Sequence, residues 1–277
     1  MKKVLTIAGS DSSGGAGLQA DLKTFAASGV YGLSVVTGVT AQNTLGVTGV
    51  HPIPPDFVGK QIEAVFDDIE IDAVKTGMLS NTAIIQEVCE KLARFSVPQL
   101  VIDPVMVATS GDLLMDERID KVLWTFRNLL IPMATVLTPN IPETEILTGR
   151  EIESIDDMKA AAIDLQSLGA RNVVIKGGHL NNEGVVVDIL FDGNGFFEYS
   201  DRRVKTRNTH GTGCTFAAAL AAGLAKGLTV HEAVGEAKRY IRVALENSYS
   251  VGRGGGPPNH FGELFRMAEG CSGKGQE

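Results

Sequence analysis

The sequence is poor in cysteine, in aromatic residues and in positive charge. Its 277 residues include three cysteines and one tryptophan, and the formal net charge is −8 at pH 7. Cys89, Cys214 and Cys271 are odd in number and widely spaced, so they form neither a disulfide framework nor a metal-binding pattern. Free cysteines of this kind are typical of a reducing compartment, and the sequence therefore predicts a cytoplasmic protein.

Basic clusters and long apolar segments are also missing. Without a basic stripe, the chain lacks the electrostatic footprint of a nucleic-acid-binding protein. No apolar run reaches the roughly 20 residues that a membrane-spanning helix needs. The apolar run within residues 1–9 is too short for a signal peptide, and glycine, serine and aspartate follow at once. We therefore read a first strand there and expect neither nucleic acid nor a membrane as a partner.

Strand and helix patterns alternate along the chain. The composition, 44% apolar and 21% charged, is ordinary for a globular protein with a large core. The repeated β-α order predicts an α/β fold of three layers, in which helices cover both faces of a mostly parallel central sheet. The main predicted elements are strands at 4–8, 33–40, 100–103 and 173–176, a hairpin at 185–199, and helices at 16–27, 82–93, 116–130, 158–168, 213–226 and 230–248.

The chain has no proline- or glycine-rich linker between its two halves. We therefore expect a single domain over residues 1–268. Residues 269–277 are expected to be a flexible tail. The segment 253–258, Arg-Gly-Gly-Gly-Pro-Pro, is a candidate flexible loop or lid.

Segment 208–216 reads Asn-Thr-His-Gly-Thr-Gly-Cys-Thr-Phe and precedes an alanine-rich run that predicts a helix. A glycine turn at the start of a helix leaves N–H groups unpaired, and with the helix dipole these donors bind anions. Gly211, Thr212 and Gly213 are therefore candidate anion-binding residues. Cys214 falls in the first helical turn, where the pKa of a thiol tends to fall. The structural alternative is a simple strand-to-helix turn with a small apolar cysteine.

Polar residues follow several of the predicted strands. Ligands of open α/β sheets bind beyond the carboxyl ends of the strands, so these residues are the next candidates for a site. They are Asp11 and Asp21 after the first strand, Gln42 and Asn43 after the second, Asp103 at the end of a central strand, Asn140 and Glu143 after the following strand, and Lys176 before two glycines.

Eight segments together resemble one known family. They are AGSDSSGGAG at 8–17, QADLKT at 19–24, AQNT at 41–44, KTGM at 75–78, DPVM at 103–106, TPN at 138–140, KGGH at 176–179 and HGTGCT at 210–215. In this order they resemble the ribokinase-like small-molecule kinases. Among these, the chain is similar to the phosphomethylpyrimidine kinases, which phosphorylate hydroxymethylpyrimidine and then its monophosphate in thiamine synthesis. Sugar kinases of the wider family usually carry aspartate at the position of Cys214.

The resemblance implies ATP as the phosphoryl donor and Mg²⁺ as its metal. Asp103 and Glu143 are the implied Mg²⁺ ligands, acting through water, and Asn140 and Lys176 the implied partners of the nucleotide phosphates. Cys214 is implied to lie beside the substrate hydroxyl, as a base or as an orienting group. The structural alternatives are a strand-end cap for Asp103, a helix-dipole partner for Glu143 and a surface lysine for Lys176.

Gln42 is the candidate for substrate recognition. A carboxamide matches the amino group and ring nitrogen of an aminopyrimidine with two hydrogen bonds, as it does an adenine edge. The resemblance implies that further residues line the same pocket. Asp21 is expected to bond a polar group of the substrate, whereas Met78 and Val105 are expected to pack against the ring or, alternatively, to be plain core. The implied substrate-binding set is Gln42, Gly9, Asp21, Thr40, Met78 and Val105.

Three functions compete on this sequence. The first is an ATP-dependent hydroxymethylpyrimidine and phosphomethylpyrimidine kinase. The second is a pyridoxine or pyridoxal kinase of the same fold, and the loop 41–44, which resembles the pyrimidine branch, discriminates against it. The third is a nucleotide-binding regulatory protein without catalysis, which the intact polar set disfavours. A homodimer is expected from the resemblance.

Overall fold

A computed structural model describes residues 1–106, 119–180 and 184–266. Its centre is a nine-stranded sheet with the strand order β3-β2-β1-β4-β5-β6-β7-β8-β9. The strands are β1 (Lys3–Asp11), β2 (Tyr31–Asn43), β3 (Gly46–Pro52), β4 (Ala73–Thr76), β5 (Leu100–Ile102), β6 (Val136–Leu137), β7 (Asn172–Ile175), β8 (Val185–Phe191) and β9 (Phe196–Arg202).

The six central strands are parallel, and antiparallel strands form both edges. Strands β2, β1, β4, β5, β6 and β7 pair in parallel, whereas β3 pairs antiparallel with β2 and the β8–β9 hairpin is antiparallel to β7. This arrangement confirms the predicted α/β fold and the predicted hairpin. Strand β3 was not predicted, because its sequence Gly-Val-Thr-Gly-Val-His-Pro contains two glycines and a proline, residues that are depleted in strands.

Helices cover both faces of the sheet and complete the three layers. One face packs against α1, α7 and α8, and the other packs against the remaining helices, each with its own apolar core. The helices are α1 (Gly17–Ala27), α2 (Pro55–Phe66), α3 (Thr82–Phe95), α4 (Ile119–Thr125), α5 (Ile141–Thr148), α6 (Ile155–Ser167), α7 (Thr212–Ala225) and α8 (Val230–Glu246).

Helix α7 is the most deeply buried helix in the described part of the chain. Every residue from Cys214 to Ala225 is buried. Its alanines remove little volume from the interior, so the helix lies close to the sheet and to α1 and α8. The N-terminus of α7 is thereby fixed at the carboxyl ends of the central strands.

Side-chain caps fix several helix starts. Ser154 accepts a hydrogen bond from the N–H of Asp157, so α6 begins at Ile155, three residues before the predicted start. Asn140 and Thr229 each form a capping box at the starts of α5 and α8. The predicted helix 116–130 continues beyond α4 as a π-helical turn at Phe126–Leu130, and its first three residues lie outside the described part.

None of the helices in the three described ranges has both the length and the apolar content to cross a bilayer. The single domain expected over residues 1–268 stays a prediction, although one sheet joins all nine strands. The tail expected at 269–277 lies outside the described residues.

Candidate active site

A cavity of about 670 Å³ opens at the carboxyl ends of the parallel strands. The candidate residues predicted from the sequence converge on it from five strands and two helix starts. Of these candidates, those that line the cavity are Gly9, Thr40, Gln42, Met78, Asp103, Val105, Asn140, Glu143, Lys176, Gly211, Thr212, Gly213 and Cys214. Asp11, a further candidate, also lines the cavity, whereas Asp21 and Asn43 do not.

The glycine turn at the start of α7 forms one wall of this cavity. Gly211 has φ 84°, and a Cβ atom there would overlap the carbonyl oxygen of Gly15, so only glycine fits. Helix α7 begins at Thr212, whose N–H donates to the carbonyl of Thr209 at 3.2 Å, and the N–H groups of Gly213 and Cys214 have no carbonyl of their own helix to bind. A Cβ on Gly213 would lie 3.2 Å from Nζ of Lys176, so a cation stands beside these donors. The predicted glycine turn at the start of a helix is therefore present, and anion binding by it stays a prediction.

The thiol of Cys214 behaves differently from the prediction. The side chain is 8% exposed, and burial raises its pKa to about 12 even though the Lys75 ammonium acts to lower it. The expectation of a lowered pKa was wrong, because loss of solvation outweighs the helix terminus in this deep position. Cys214 is a neutral thiol near pH 7.

A second wall carries buried charges. Nζ of Lys176 lies 3.0 Å from Oδ1 of Asp103, and Nζ of Lys75 lies 3.9 Å from Oδ2 of the same carboxylate. Lys75 is fully buried, and the two carboxylates around it raise its pKa against the effect of burial. We call Lys75, Asp103, Glu143, Lys176 and the turn 211–214 the ionic end of the cavity.

Asp21 lies beneath the ionic end and not on its surface. It is fully buried, and its Oδ2 accepts hydrogen bonds from Oγ1 of Thr6 at 2.6 Å and from Nζ of Lys75 at 3.0 Å. This position differs from the predicted one, in which Asp21 met the substrate. Because its partners come from β1 and β4, Asp21 joins helix α1 to the sheet and supports Lys75.

Asn140 and Glu143 bind each other at the start of α5. Oδ1 of Asn140 accepts from the N–H of Glu143 at 2.9 Å, and Oε2 of Glu143 accepts from the N–H of Asn140 at 2.8 Å. Burial raises the pKa of Glu143 to about 7, although the Lys176 ammonium acts to lower it. One carboxylate oxygen of Glu143 is left for a ligand.

The carboxylates of the ionic end fit a magnesium ion. Mg²⁺ prefers hard oxygen ligands and is usually held by one or two carboxylates together with water and substrate phosphates. Oδ2 of Asp103 is buried without a hydrogen-bond partner, although its residue lies at the cavity. Asp103 and Glu143 would therefore hold the ion together with ligands that the protein does not provide.

A third part of the lining carries a chain of hydrogen bonds that the sequence did not reveal. Nε2 of His210 lies 2.8 Å from Oδ2 of Asp11 and 3.4 Å from Nε2 of Gln42, and the amide of Gln42 in turn contacts Oγ1 of Thr40 at 3.1 Å. Although burial acts to raise it, hydrogen bonds from His210 and Ser13 lower the pKa of Asp11 to about 2. We call Asp11, Thr40, Gln42 and His210 the amide end.

Apolar contacts shape the space between the two ends. A Cβ atom on Gly9 would lie far inside van der Waals contact with Cε of Met78, so glycine makes room for that side chain. Met78 is 6% exposed, and Val105 is half-buried. Both line the cavity, and their predicted contact with a substrate ring stays a prediction.

A buried ion pair fixes the backbone that follows Lys176. Oδ1 of Asp188 accepts from the N–H of Gly177 at 2.8 Å, and Oδ2 of Asp188 accepts from Nζ of Lys238 at 2.7 Å. A Cβ on Gly177 would overlap the carbonyl oxygen of Val187. Neither member of this pair was singled out from the sequence, because a strand aspartate and a helix lysine are usually solvated.

The predicted loop at 253–258 is bonded to the amide end. The N–H of His210 donates to the carbonyl of Gly256 at 3.0 Å, and the N–H of Gly256 donates to Oδ1 of Asn208 at 3.2 Å. The N–H of Gly254 donates to Oγ1 of Thr44 at 3.1 Å. The loop thus closes the amide end from outside in this structure, and a lid motion stays a prediction.

The parallel sheet, with an anion-binding helix start and buried carboxylates at its carboxyl edge, defines a ribokinase-like α/β protein. A solved Bacillus subtilis structure described as a pyridoxal kinase in complex with ADP has a TM-score of 0.87 and 40% identity, over 96% of this chain and 99% of that one. A phosphomethylpyrimidine kinase structure from Clostridium difficile has a TM-score of 0.77 and 46% identity, over 87% and 98%.

The comparisons of sequence give the family. The family model described as phosphomethylpyrimidine kinase matches residues 11–259. A Bacillus subtilis protein named hydroxymethylpyrimidine/phosphomethylpyrimidine kinase is 50% identical over 260 residues, which is 94% of each chain. The chain belongs to the phosphomethylpyrimidine kinase family.

Proposed function

We propose that this protein transfers a phosphoryl group from ATP to 4-amino-5-hydroxymethyl-2-methylpyrimidine, and then to the resulting monophosphate, in thiamine biosynthesis. The observation that carries the proposal is that one cavity is lined by the carboxamide of Gln42, by Lys176 with Asp103, and by the glycine turn at 211–213. A recognition group for an aminopyrimidine and a phosphate-binding set therefore share one space. Family membership supports the same activity.

The amide end binds and orients the acceptor. Gln42 offers one N–H donor and one carbonyl acceptor to the ring nitrogen and amino group of the pyrimidine. Met78 and Val105 pack against the ring and exclude water. With the ring held in this way, its hydroxymethyl group points along the cavity toward the turn at 211–214, which gives the orientation that transfer requires.

The ionic end stabilises the phosphoryl group during transfer. Phosphoryl transfer needs positioning and charge neutralisation more than covalent chemistry. The N–H groups at the start of α7 and the ammonium of Lys176 stand ready to compensate the charge of the equatorial oxygens, without reorganisation. Mg²⁺, when bound by Asp103 and Glu143, neutralises further charge on the phosphates. Because Cys214 is a neutral thiol, it orients the acceptor hydroxyl and does not ionise to remove its proton.

A second function is favoured by a specific observation. The Bacillus subtilis neighbour with 40% identity and a TM-score of 0.87 is described as a pyridoxal kinase, and a pyridoxal complex has been solved for a Staphylococcus aureus pyridoxal kinase with a TM-score of 0.86. Pyridoxal phosphorylation is therefore the alternative activity. It requires the same ionic end and a different use of Gln42.

The cytoplasmic location and the homodimer belong to the same proposal. The free cysteines support the cytoplasmic location, and the family resemblance supports the homodimer. Sedimentation equilibrium of the purified protein measures the mass directly, and a monomer mass near 29.3 kDa at all concentrations would refute the homodimer.

The function is tested by supplying ATP and Mg²⁺ with three acceptors in parallel: hydroxymethylpyrimidine, its monophosphate and pyridoxal. We expect the first two to be consumed, with diphosphate formed from the monophosphate. A plain alcohol kinase has no reason to use a phosphate acceptor, so this product establishes the thiamine-pathway activity. Turnover of pyridoxal alone would refute the proposal and assign the protein to vitamin B6 salvage.

A further inference from the structure

The hydrogen bonds of the amide end determine which of its side-chain atoms donate a proton and which accept one. His210 stands at its centre, because Nε2 of its ring faces both Asp11 at 2.8 Å and Gln42 at 3.4 Å. The ring lies close to Gly15, where a Cβ atom would be 2.6 Å from Cδ2 of His210. The imidazole therefore has a fixed position between the two side chains.

Nε2 of His210 carries a proton. Its close partner is the carboxylate of Asp11, which also accepts from the N–H groups of Gly15 and Ala16 at 3.0 and 2.8 Å. With a pKa of about 2, that carboxylate is ionised at neutral pH and can only accept. A Gln42 amide nitrogen turned toward Nε2 of His210 would place a donor against a donor.

The hydroxyl of Thr40 leads to the same conclusion from the other side of Gln42. Oγ1 of Thr40 lies 3.1 Å from the carbonyl oxygen of Ser10 and 3.1 Å from the amide of Gln42. A hydroxyl has one proton, and the backbone carbonyl can only accept it. The group of Gln42 that faces Thr40 must therefore be a donor, which is the amide nitrogen.

A half-turn of the Gln42 amide about its Cγ–Cδ bond satisfies both requirements. Its oxygen then accepts from Nε2–H of His210, and its nitrogen donates to Oγ1 of Thr40, whose own proton goes to Ser10. We propose that His210, held by Asp11, is a positioning residue that fixes this orientation of Gln42 and thereby determines which ring pattern the cavity accepts. The inference rests on the proposed function, because it concerns the acceptor ring.

Fixing the amide makes the cavity selective between two related rings. The free N–H and the free carbonyl lone pair of Gln42 match a ring nitrogen acceptor beside an amino donor. A ring with an oxo group in place of the amino group presents the reversed pattern, a carbonyl acceptor beside a ring N–H donor. A fixed Gln42 rejects that ring, whereas a freely turning Gln42 adapts to it.

The test compares kcat/KM for hydroxymethylpyrimidine and for its 4-oxo analogue. One good bidentate pair discriminates by a factor of about 5 to 150, so we expect the unaltered protein to prefer the amino ring by about that factor. His210→Leu removes the donor and is expected to reduce the preference at least about fivefold. His210→Gln places an amide nitrogen where Nε2 stood and is expected to restore it. Thr40→Val removes the opposite anchor and is expected to act in the same direction as His210→Leu.

The inference is overturned if His210→Leu leaves the ratio of the two kcat/KM values unchanged, even where both values fall equally. A purely structural histidine would act on both acceptors alike. Lack of turnover of either ring by the unaltered protein refutes the proposed function instead. Which ring nitrogen of His210 carries the proton is measured separately from activity, by two-bond ¹⁵N–¹H correlations of the ring. These signals are assigned to His210 by their absence in His210→Gln. Protonated Nε2 is expected, and an unprotonated Nε2 overturns the inference.

Discussion

The two ends of the cavity differ in how far the protein itself satisfies its polar groups. At the amide end, the carboxylate of Asp11, the hydroxyl of Thr40, the amide of Gln42 and Nε2 of His210 have partners within the chain. At the ionic end, Oδ2 of Asp103 is buried without a hydrogen-bond partner, with Nζ of Lys75 at 3.9 Å, and Oδ1 of Asp21 is also buried without one. Buried polar atoms are rarely left unpaired, so such atoms require an explanation.

The difference indicates separate tasks. A satisfied network is rigid and can discriminate between ligands before they bind. An unsatisfied set of buried carboxylates is costly until a ligand with positive charge arrives, and its free energy is recovered on binding. The amide end is thus complete for recognition, and the ionic end is complete only with the phosphoryl donor and its metal.

The largest expected effect comes from removing the buried cation of the ionic end. Lys75→Met leaves Asp21 buried without its ammonium partner and Asp103 with Lys176 alone, and breaking a buried pair in this way costs about 3–5 kcal/mol. Urea unfolding followed by circular dichroism measures the loss. Lys60→Met, which removes an exposed lysine paired with Asp56, is the control and is expected to leave the midpoint unchanged.

A second variant keeps the Lys75 experiment informative if the Lys75→Met protein does not fold. Replacing Asp21 by leucine in the Lys75→Met chain removes one stranded carboxylate and is expected to recover part of the lost stability. If Lys75→Met unfolds at the same urea concentration as the unaltered protein, Lys75 does not hold the ionic end together.

Removing the cation at the cavity surface is expected to act on rate. Lys176→Met takes away the charge beside the anion-binding turn, and loss of one preorganised electrostatic group lowers kcat by about 10²–10³. The KM for the pyrimidine is expected to change little, because Gln42 is unaffected. Lys226→Met, at the exposed C-terminal end of α7, is the control. A higher KM with an unchanged kcat would place Lys176 at the amide end instead.

The support beneath the anion-binding turn is expected to depend on pH. Nε2 of His260 lies 3.0 Å from Oγ1 of Thr215 in the first part of α7, and burial, aided by the charge of Lys23, lowers the pKa of His260 to about 4. Between an unfolded pKa of 6.5 and this value, the unfolded chain binds a proton that the folded chain does not. Stability is therefore lost as pH falls from about 6.5 to 4, on the order of 3 kcal/mol.

The contribution of His260 is isolated by substitution. His260→Gln keeps a hydrogen-bonding group for Thr215 but does not titrate, so its unfolding free energy is expected to fall less between pH 7 and 4.5. His51→Gln changes an exposed histidine and is expected to follow the unaltered protein. Parallel curves for His260→Gln and the unaltered protein would show that His260 is not buried in its neutral form.

The sequence was sufficient for the fold and for most of the ionic end. Strand-helix alternation gave the parallel sheet, and in such a sheet the residues that follow the strands meet at one edge. Asp103, Glu143, Lys176 and the turn at 211–214 are brought together for that reason alone. Their order along the chain carries the information, and no long-range contact had to be known.

Long-range partners explain what could not be predicted. Lys75 reads as a strand lysine, and its partner Asp21 lies 54 residues earlier, so only the packing of α1 against the sheet reveals a buried pair. His210 and Asp11 are 199 residues apart, and neither residue alone indicates that the two form a hydrogen bond. The predicted lowering of the Cys214 pKa was wrong for a related reason. The rule for helix termini is local and takes no account of burial by the sheet and by α1.

Cys214 lies where the two ends meet, and its substitution is expected to give the smallest effect. With a pKa raised to about 12 by burial, the thiol holds its proton throughout the physiological range and provides no base. Phosphoryl transfer with a loose transition state needs little base assistance. Cys214→Ala is therefore expected to lower kcat by less than about tenfold, which corresponds to less than about 1.4 kcal/mol.

The pH profile distinguishes an orienting thiol from a base. We expect the dependence of kcat on pH between 6 and 9 to have the same shape in Cys214→Ala and in the unaltered protein, because no group at position 214 titrates there. Cys214→Ser keeps a hydrogen-bonding group that can orient the acceptor hydroxyl, so it is expected to retain more activity than alanine. A loss above about a thousandfold in both variants, together with loss of an alkaline limb from the profile, would instead identify Cys214 as the base. In that case the charge of Lys75 would have to lower the thiol pKa once ligands fill the cavity, and the ionic end would extend to the acceptor itself.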